Sequence, residues 1–75
     1  MLILSQNKEV IVNTNTMVAL YINQGDIRCF VDYDENSYGY LLGSYENKEK
    51  AKYMLNFIFT AIKNKTEIID LSMWE

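Results

Sequence analysis

The chain has no histidine and no proline, and it has only one cysteine and three glycines among its 75 residues. Without histidine, acid–base chemistry would need a carboxylate or lysine with a shifted pKa, and zinc would lose its usual ligands. The single thiol, Cys29, excludes an intramolecular disulfide. These absences favour a protein that binds over an enzyme, and we expect no metal site and no cofactor.

Positive charge is also scarce, because seven Lys and Arg face ten Asp and Glu, for a net charge of −3. Nucleic-acid binding needs clustered cations, so this balance disfavours a phosphate backbone as partner. No stretch approaches the roughly 20 apolar residues of a membrane span. The short N-terminal apolar run has no basic region before it, so we expect no signal peptide, no membrane partner and a cytoplasmic location.

The chain is rich in apolar residues, at 49% hydrophobic and 13% aromatic, which argues against disorder. We expect one small domain over residues 1–75. A domain of this size buries about 60% of its unfolded surface, which yields a marginal core. With no disulfide or zinc to compensate, association of copies is the remaining device, so we expect a homodimer or a larger homo-oligomer.

Residues 1–42 show the alternation and the polar breaks that predict β-strands. Gly25 in "NQGD" is expected to supply the positive φ of a tight turn between the third strand and the fourth. The five predicted strands are Met1–Leu4, Glu9–Asn13, Met17–Asn23, Ile27–Tyr33 and Tyr38–Leu42.

The segment Lys48–Lys63 predicts a helix. Asn47 is placed to cap its N-terminus, Glu49 suits the positive end of the helix dipole, and Lys63 and Lys65 suit the negative end. At about 100° per residue, one apolar stripe faces the core. Its members are Ala51, Met54, Leu55, Ile58 and Ile62.

The apolar arc of this helix is wider than one sheet requires, since Tyr53, Phe57 and their neighbours extend it to roughly 240°. Two alternatives would cover Tyr53 and Phe57. The tail, residues 66–75, could fold back as a short strand or arm, or a second copy could cover the rings. Met73 and Trp74 in the tail belong to the residue types enriched at interfaces. The predicted oligomer or partner interface is therefore Tyr53, Phe57, Met73 and Trp74.

The predicted fold class is α+β. We expect an antiparallel meander of four to five strands, packed by one α-helix from the C-terminal half, with a short C-terminal strand or arm.

The stretch "LLGSYENKEK" raises the question of a phosphate-binding loop before the helix. Such a loop uses several glycines and a Lys or Ser/Thr at a fixed offset. Gly43 stands without a second glycine at that spacing, and Glu46 and Glu49 would repel phosphate. We therefore interpret Gly43 as the joint where the chain leaves the sheet, with Tyr45 packed under the first helical turn.

Carboxylates are densest at Asp32, Asp34 and Glu35. Asp32 and Asp34 could share a strand face, but further oxygen ligands of a calcium loop are lacking, so a solvated turn is favoured over a metal site. Together with Glu46 and Glu49, these residues form a predicted acidic surface that suits a basic groove on a partner.

Aromatic residues suggest one further surface. Phe30, Tyr38 and Tyr40, with Arg28 beside them, could form a platform on which nucleic-acid bases stack, or a second packing surface. Packing is the favoured interpretation, because the chain is acidic. Cys29 alternates with apolar neighbours and is interpreted as a buried packing thiol.

Two stretches, "LILSQNKEVIVNTNTMVALYI" and "LLGSYENKEKAKYMLNFI", resemble small uncharacterised proteins of Firmicutes and their phages. The resemblance implies a sheet-plus-helix domain, a mobile-element origin and a bacterial host cell, but no activity and no site residues. The matching positions are Ile3, Leu4, Ser5, Gln6, Ile11 and Asn13 in the first pattern, and Leu42, Gly43, Tyr45, Glu49, Ala51, Leu55 and Ile58 in the second.

Three hypotheses follow. The leading one is a non-catalytic interaction protein of phage or mobile-element origin that binds a host macromolecule, in its specific form as an inhibitor of a bacterial defence protein. The first alternative is an oligomeric sponge that traps a nucleotide-like signalling molecule with Arg28, lysines and tyrosine rings. The second is a single-stranded nucleic-acid binder that uses the aromatic sheet face.

Overall fold

The structure is a computed structural model that describes residues 1–31 and 39–73. Six strands and one α-helix are present in these ranges, with two short 3-10 helices at Thr14–Thr16 and Leu71–Met73. In chain order the elements are β1 (Leu2–Leu4), β2 (Ile11–Asn13), β3 (Met17–Asn23), β4 (Asp26–Val31), β5 (Tyr40–Ser44), α1 (Lys48–Lys63) and β6 (Ile68–Asp70).

The strands form two sheets of three strands each. The N-terminal sheet has the order β2-β1-β6, and the central sheet has the order β3-β4-β5. The central sheet is antiparallel throughout, whereas β1 pairs antiparallel with β2 and parallel with β6. The predicted α+β class is confirmed. The strand count is higher than the expected four to five, and the strands are divided between two sheets rather than joined in one meander.

The division between the sheets lies at the turn Thr14–Thr16. The Asn13 side chain accepts a hydrogen bond from the backbone N–H of Asn15 (2.9 Å), and the Thr16 hydroxyl donates to the Asn13 carbonyl (2.8 Å). A polar residue that bonds its own backbone in this way competes with strand pairing. The chain therefore changes direction after β2, and β3 begins a new sheet.

The tail forms the predicted short strand, but it lies beside β1 rather than over the helix. Ile3 of β1 is registered with Val12 on one side and Ile69 on the other, and all three side chains point into the core. Leu71, directly after β6, is fully buried. The core also receives Ile27, Cys29 and Leu42 from the central sheet, Tyr45 from the loop before α1, and Ala51, Met54 and Ile58 from α1.

The helix α1 has the predicted bounds and the predicted cap. The Asn47 side chain accepts a hydrogen bond from the backbone N–H of Lys50 (2.8 Å). After the helix, Lys65 has a φ of 58°, and the N–H groups of Lys65 and Thr66 donate to the carbonyls of Ile62 and Ala61. This pair of bonds is a Schellman motif. Among residues 1–31 and 39–73, no helix combines the length and apolar content that a bilayer crossing requires.

The prediction for Gly25 was wrong. In the hairpin between β3 and β4, Gln24 has the positive φ (56°), and Gly25 is not in the left-handed region. A Cβ at Gly25 would lie 2.4 Å from the Tyr45 carbonyl oxygen. The lack of a Cβ at Gly25 therefore allows two backbone segments to approach closely. At this approach the Gly25 carbonyl accepts a hydrogen bond from the Tyr45 N–H (2.8 Å).

The turn between β1 and β2 ties the two sheets together. The buried Ser5 hydroxyl accepts from the Val10 N–H and donates to the Asn7 side chain, which closes the turn. The next residue, Gln6, reaches the edge of β5, where its N–H donates to the Leu42 carbonyl (2.7 Å). The N-terminal hairpin is thereby fixed to the central sheet.

Candidate functional site

An apolar groove of about 490 Å³ lies between β3 and α1. We call it the β3–α1 groove. Its size is in the range of pockets that bind small molecules or peptide side chains. It is lined by Met17 and Leu20 from β3 and by Lys52, Leu55, Asn56, Phe59 and Ile62 from α1.

The walls of the groove combine anchored and exposed side chains. Leu20, Leu55 and Ile62 are half-buried and pack against the core from the two walls. Phe59 stands at the mouth of the groove and is 63% exposed. The floor is thus held by the fold, while a large aromatic ring remains available to a partner. Large exposed rings next to an apolar depression are typical of binding surfaces.

The groove has one positive charge in its described lining. Lys52 is the charged side chain among the lining residues that the structure describes. At about 100° per residue, Lys48 and Lys63 fall within an arc of roughly 60° that also holds Lys52 and Phe59. All three lysines are exposed. Strand β3, the opposite wall, has the sequence MVALYIN and contributes no charge.

The β3 wall is also an edge of the central sheet. Strand β4 lies on one side of β3, and no strand within residues 1–31 and 39–73 lies on the other. The pairing register of β3 shifts between Met17 and Ala19, which marks a bulge, and Val18 at this point is 70% exposed. Bulges discourage strand addition locally. The regular part of this edge therefore runs from Ala19 to Asn23.

A second, polar cleft lies at the N-terminus of α1, where Asn23, Gly25 and Asp26 face Glu46 and Lys48. The carboxylates of Asp26 and Glu46 lie in this cleft and would repel an anion. That this loop does not bind phosphate stays a prediction.

Gly43, the glycine of the stretch "LLGSYENKEK", lies within β5. A Cβ at this position would be 2.7 Å from the Tyr45 hydroxyl. It makes room for the buried Tyr45 ring. Its role is therefore packing, not ligand binding.

Three of the predicted interface residues, Tyr53, Phe57 and Met73, lie in the described part of the chain and differ in exposure. Tyr53 is 66% exposed and Met73 is 80% exposed, whereas Phe57 is half-buried and packs against the core. On the helix, Tyr53 lies roughly 120° from Phe59, away from the groove. The described part of the tail leaves Tyr53 uncovered. Trp74 lies outside the described residues, and cover by a second copy stays a prediction.

The predicted acidic surface is described only in part. Glu46 and Glu49 are exposed near the N-terminus of α1. Asp32, Asp34 and Glu35 lie outside the described residues, and so the grouping of all five stays a prediction.

The aromatic platform differs from the prediction. Tyr21 and Phe30 stack on the outer face of the central sheet, with ring centroids 5.3 Å apart and planes inclined by 17°. Tyr40 is registered with the buried Cys29 and therefore lies on the opposite face. Arg28 is registered with Tyr21 on the outer face, and its guanidinium lies 3.7 Å from the Asp26 carboxylate. Tyr38 lies outside the described residues.

Two further observations concern Cys29 and the grouping of possible metal ligands. Cys29 is fully buried in the core, as the alternation predicted. Within residues 1–31 and 39–73, no group of three or more His, Cys, Asp or Glu side chains is arranged to hold a metal ion.

Sequence reasoning missed the β3–α1 groove. It sought cover only for Tyr53 and Phe57, on one flank of the helix stripe, and did not single out Phe59 on the other flank. The sequence signal was present, because Phe59 and Lys52 are seven residues apart and share one helix face. No protein-family model, curated protein or solved structure matches the chain. The function must therefore be argued from the groove itself.

Proposed function

We propose that this protein is a non-catalytic interaction module that binds another protein through the β3–α1 groove. The observation that carries the proposal is Phe59, which is 63% exposed above an apolar groove of about 490 Å³. Full burial of such a side chain stabilises a complex by about 1.5–3 kcal/mol. Since a third of this ring is already covered, about 1–2 kcal/mol remains for a partner to gain.

The chemistry of the lining supports binding rather than catalysis. Lys52 is the titratable side chain among the lining residues that the structure describes, and it stands at an open rim. A general acid–base pair or an activated nucleophile requires a second group within hydrogen-bond reach. The remaining lining is aliphatic, aromatic or amide. These groups provide contact area and one positive charge, which suit a protein partner with apolar and acidic residues.

The most specific form of the proposal is a phage or mobile-element protein that inhibits a bacterial defence protein in the host cytoplasm. This form is supported by the sequence resemblance to proteins of Firmicutes and their phages. The groove supports only the broader statement that a protein partner is bound.

Affinity capture with two matched variants tests the proposal. Phe59→Ser removes the ring at the groove, and Tyr53→Ser removes an equally exposed ring (66%) from another face of the same helix. Each variant is immobilised and exposed to a Firmicutes cell lysate. We expect the wild type and Tyr53→Ser to retain the same stoichiometric protein and Phe59→Ser to lose it.

Two outcomes of the capture would contradict the proposal. If Phe59→Ser retains the partner and Tyr53→Ser loses it, the interface is the surface predicted from sequence, which contains Tyr53, and not the groove. If the folded wild type retains no stoichiometric partner, the proposal that this protein is an interaction module is refuted.

A further inference from the structure

We propose that the occupant of the β3–α1 groove is an extended, acidic segment of the partner protein that pairs with β3 as an added strand. This inference rests on the proposed function and names the chemistry of the partner. It joins three observations about one place: an edge strand, an apolar groove beside it, and Lys52 in the lining of that groove.

The edge of β3 can accept a strand. Its regular part, Ala19–Asn23, has five residues, or about 16 Å of edge at 3.3 Å per residue. Addition of a strand to a sheet edge supplies affinity through main-chain hydrogen bonds and specificity through pockets for alternate side chains. The groove lies on the helix side of this edge. One set of alternate side chains of the added strand would therefore enter it.

The apolar requirement follows from the register of β3. Leu20 and Ile22 pair with the buried Cys29 and Ile27, so they mark the face of the sheet that looks toward α1. Side chains of the added strand that point the same way would meet Leu20 and Phe59. Since strand side chains alternate with a period of two, the segment needs apolar residues at positions i, i+2 and i+4.

The acidic requirement follows from charge. Lys52 lines the groove from α1, with Lys48 and Lys63 in the same arc of the helix surface, while β3 carries no charge to balance Lys52. A carboxylate in the added segment would complement Lys52. An exposed pair of this kind raises affinity only about 1.4-fold to fivefold and selects among partners more than it adds affinity.

The same charges disfavour a second copy as the occupant. Pairing of β3 with β3 of another copy would bring two grooves, each with Lys52 in its lining, to one junction. Neither β3 strand could supply a carboxylate there, because each has the sequence MVALYIN. Like charges brought together in this way oppose association.

Selection from a displayed library of random decapeptides tests the proposal without a known partner. We expect enriched peptides to carry apolar residues at i, i+2 and i+4 with Asp or Glu between or beside them. Because Lys52→Glu replaces the attraction between Lys52 and a peptide carboxylate with a repulsion of similar size, it should lower the affinity of a synthetic selected peptide about fivefold to tenfold. The matched control Lys50→Glu lies roughly 160° away on the same helix and should change it less than twofold.

Backbone pairing is tested by N-methylation of the selected peptide, one residue at a time. A strand added to β3 directs alternate N–H groups toward the edge, so binding should be lost at every second position. Amide hydrogen exchange of the complex should show new protection within Ala19–Asn23.

Each other outcome overturns the inference in a distinct way. Enriched peptides with i, i+3, i+4 spacing that still depend on Phe59 would mean that a helix occupies the groove, which leaves the proposed function intact. A dimer of the isolated chain with Ala19–Asn23 already protected would identify a second copy as the occupant. No enrichment, together with failed lysate capture, would refute the inference and the proposed function together.

Discussion

The backbone N–H of Ser44 donates a 2.8 Å hydrogen bond to Oε1 of Gln6, 38 residues earlier in the chain. The Gln6 N–H in turn donates to the Leu42 carbonyl (2.7 Å). Two segments far apart in sequence, one with Ser5-Gln6 and one with Leu42-Gly43-Ser44, therefore meet at one joint between the sheets. Their shared role at this joint is architectural, because their hydrogen bonds connect the N-terminal hairpin to β5.

Substitution of Gln6 tests this joint. Gln6→Ala removes the acceptor of the Ser44 N–H and should lower the free energy of unfolding by about 1 kcal/mol. Gln6→Glu keeps an acceptor oxygen at the same position and should stay within about 0.5 kcal/mol of the wild type. Urea unfolding followed by circular dichroism measures both. Equal losses for the two variants would show that the side-chain bond does not stabilise the joint.

The helix was predictable because its determinants are local. Asn47 as cap, the spacing of the apolar stripe and the lysines at the end specify the bounds Lys48–Lys63 within one stretch of sequence. The role of Gly25 in the turn between β3 and β4 was harder to predict. Gly25 indicated a tight turn correctly, but its physical cause, close approach of the Tyr45 carbonyl, depends on a segment 20 residues away.

The buried hydroxyl group of Tyr45 provides a second test of stability. Its hydroxyl is buried without a hydrogen-bond partner among the described residues, and burial raises the pKa of its phenol above the ordinary value of 10.0. Tyr45→Phe should raise the free energy of unfolding by about 1 kcal/mol at neutral pH, because an uncompensated polar atom leaves the core. Tyr53→Phe, on the exposed surface, should change it by less than about 0.5 kcal/mol.

The same group predicts a pH dependence. Well below pH 10, Tyr45 is protonated in both the folded and the unfolded protein, so its ionisation does not change the free energy of unfolding. Above pH 10 the unfolded tyrosine ionises before the buried one, so the wild type loses stability as pH rises. Tyr45→Phe should show a shallower loss between pH 8 and pH 11 in urea unfolding. An identical pH profile for the two proteins would contradict the assignment.

The end of the helix offers a stabilising substitution. Lys65 has a φ of 58°, a conformation that costs a residue with a Cβ about 1–2 kcal/mol and glycine almost nothing. Lys65→Gly should therefore raise the free energy of unfolding by about 0.5–1 kcal/mol, despite the entropy that glycine adds to the unfolded chain. Lys63→Gly, inside α1, should lower it by a similar amount. In thermal unfolding, we expect the two substitutions to change the free energy of unfolding in opposite directions.

Non-local pairing explains what the sequence could not predict. The parallel pairing of β6 with β1 joins segments from the two ends of the described chain, and no periodicity in either segment specifies its partner. The candidate site has the same origin. A groove between β3 and α1 exists only after the sheet order and the helix orientation are set, so Phe59 could be recognised as apolar but not as exposed.

The contrast between Phe59 and its neighbour Ile58 tests whether the groove residue serves binding rather than folding. Ile58 is fully buried, whereas Phe59 is 63% exposed. Ile58→Ala should lower the free energy of unfolding by about 2–5 kcal/mol, because it removes buried methylene groups and leaves a cavity. Phe59→Ser exchanges a mostly exposed ring for a small polar group and should change it by less than about 1 kcal/mol. Urea unfolding of both variants measures the difference. A loss above 2 kcal/mol for Phe59→Ser would place the ring among the residues that stabilise the fold, and its effect on partner capture could then no longer be read as the loss of a contact.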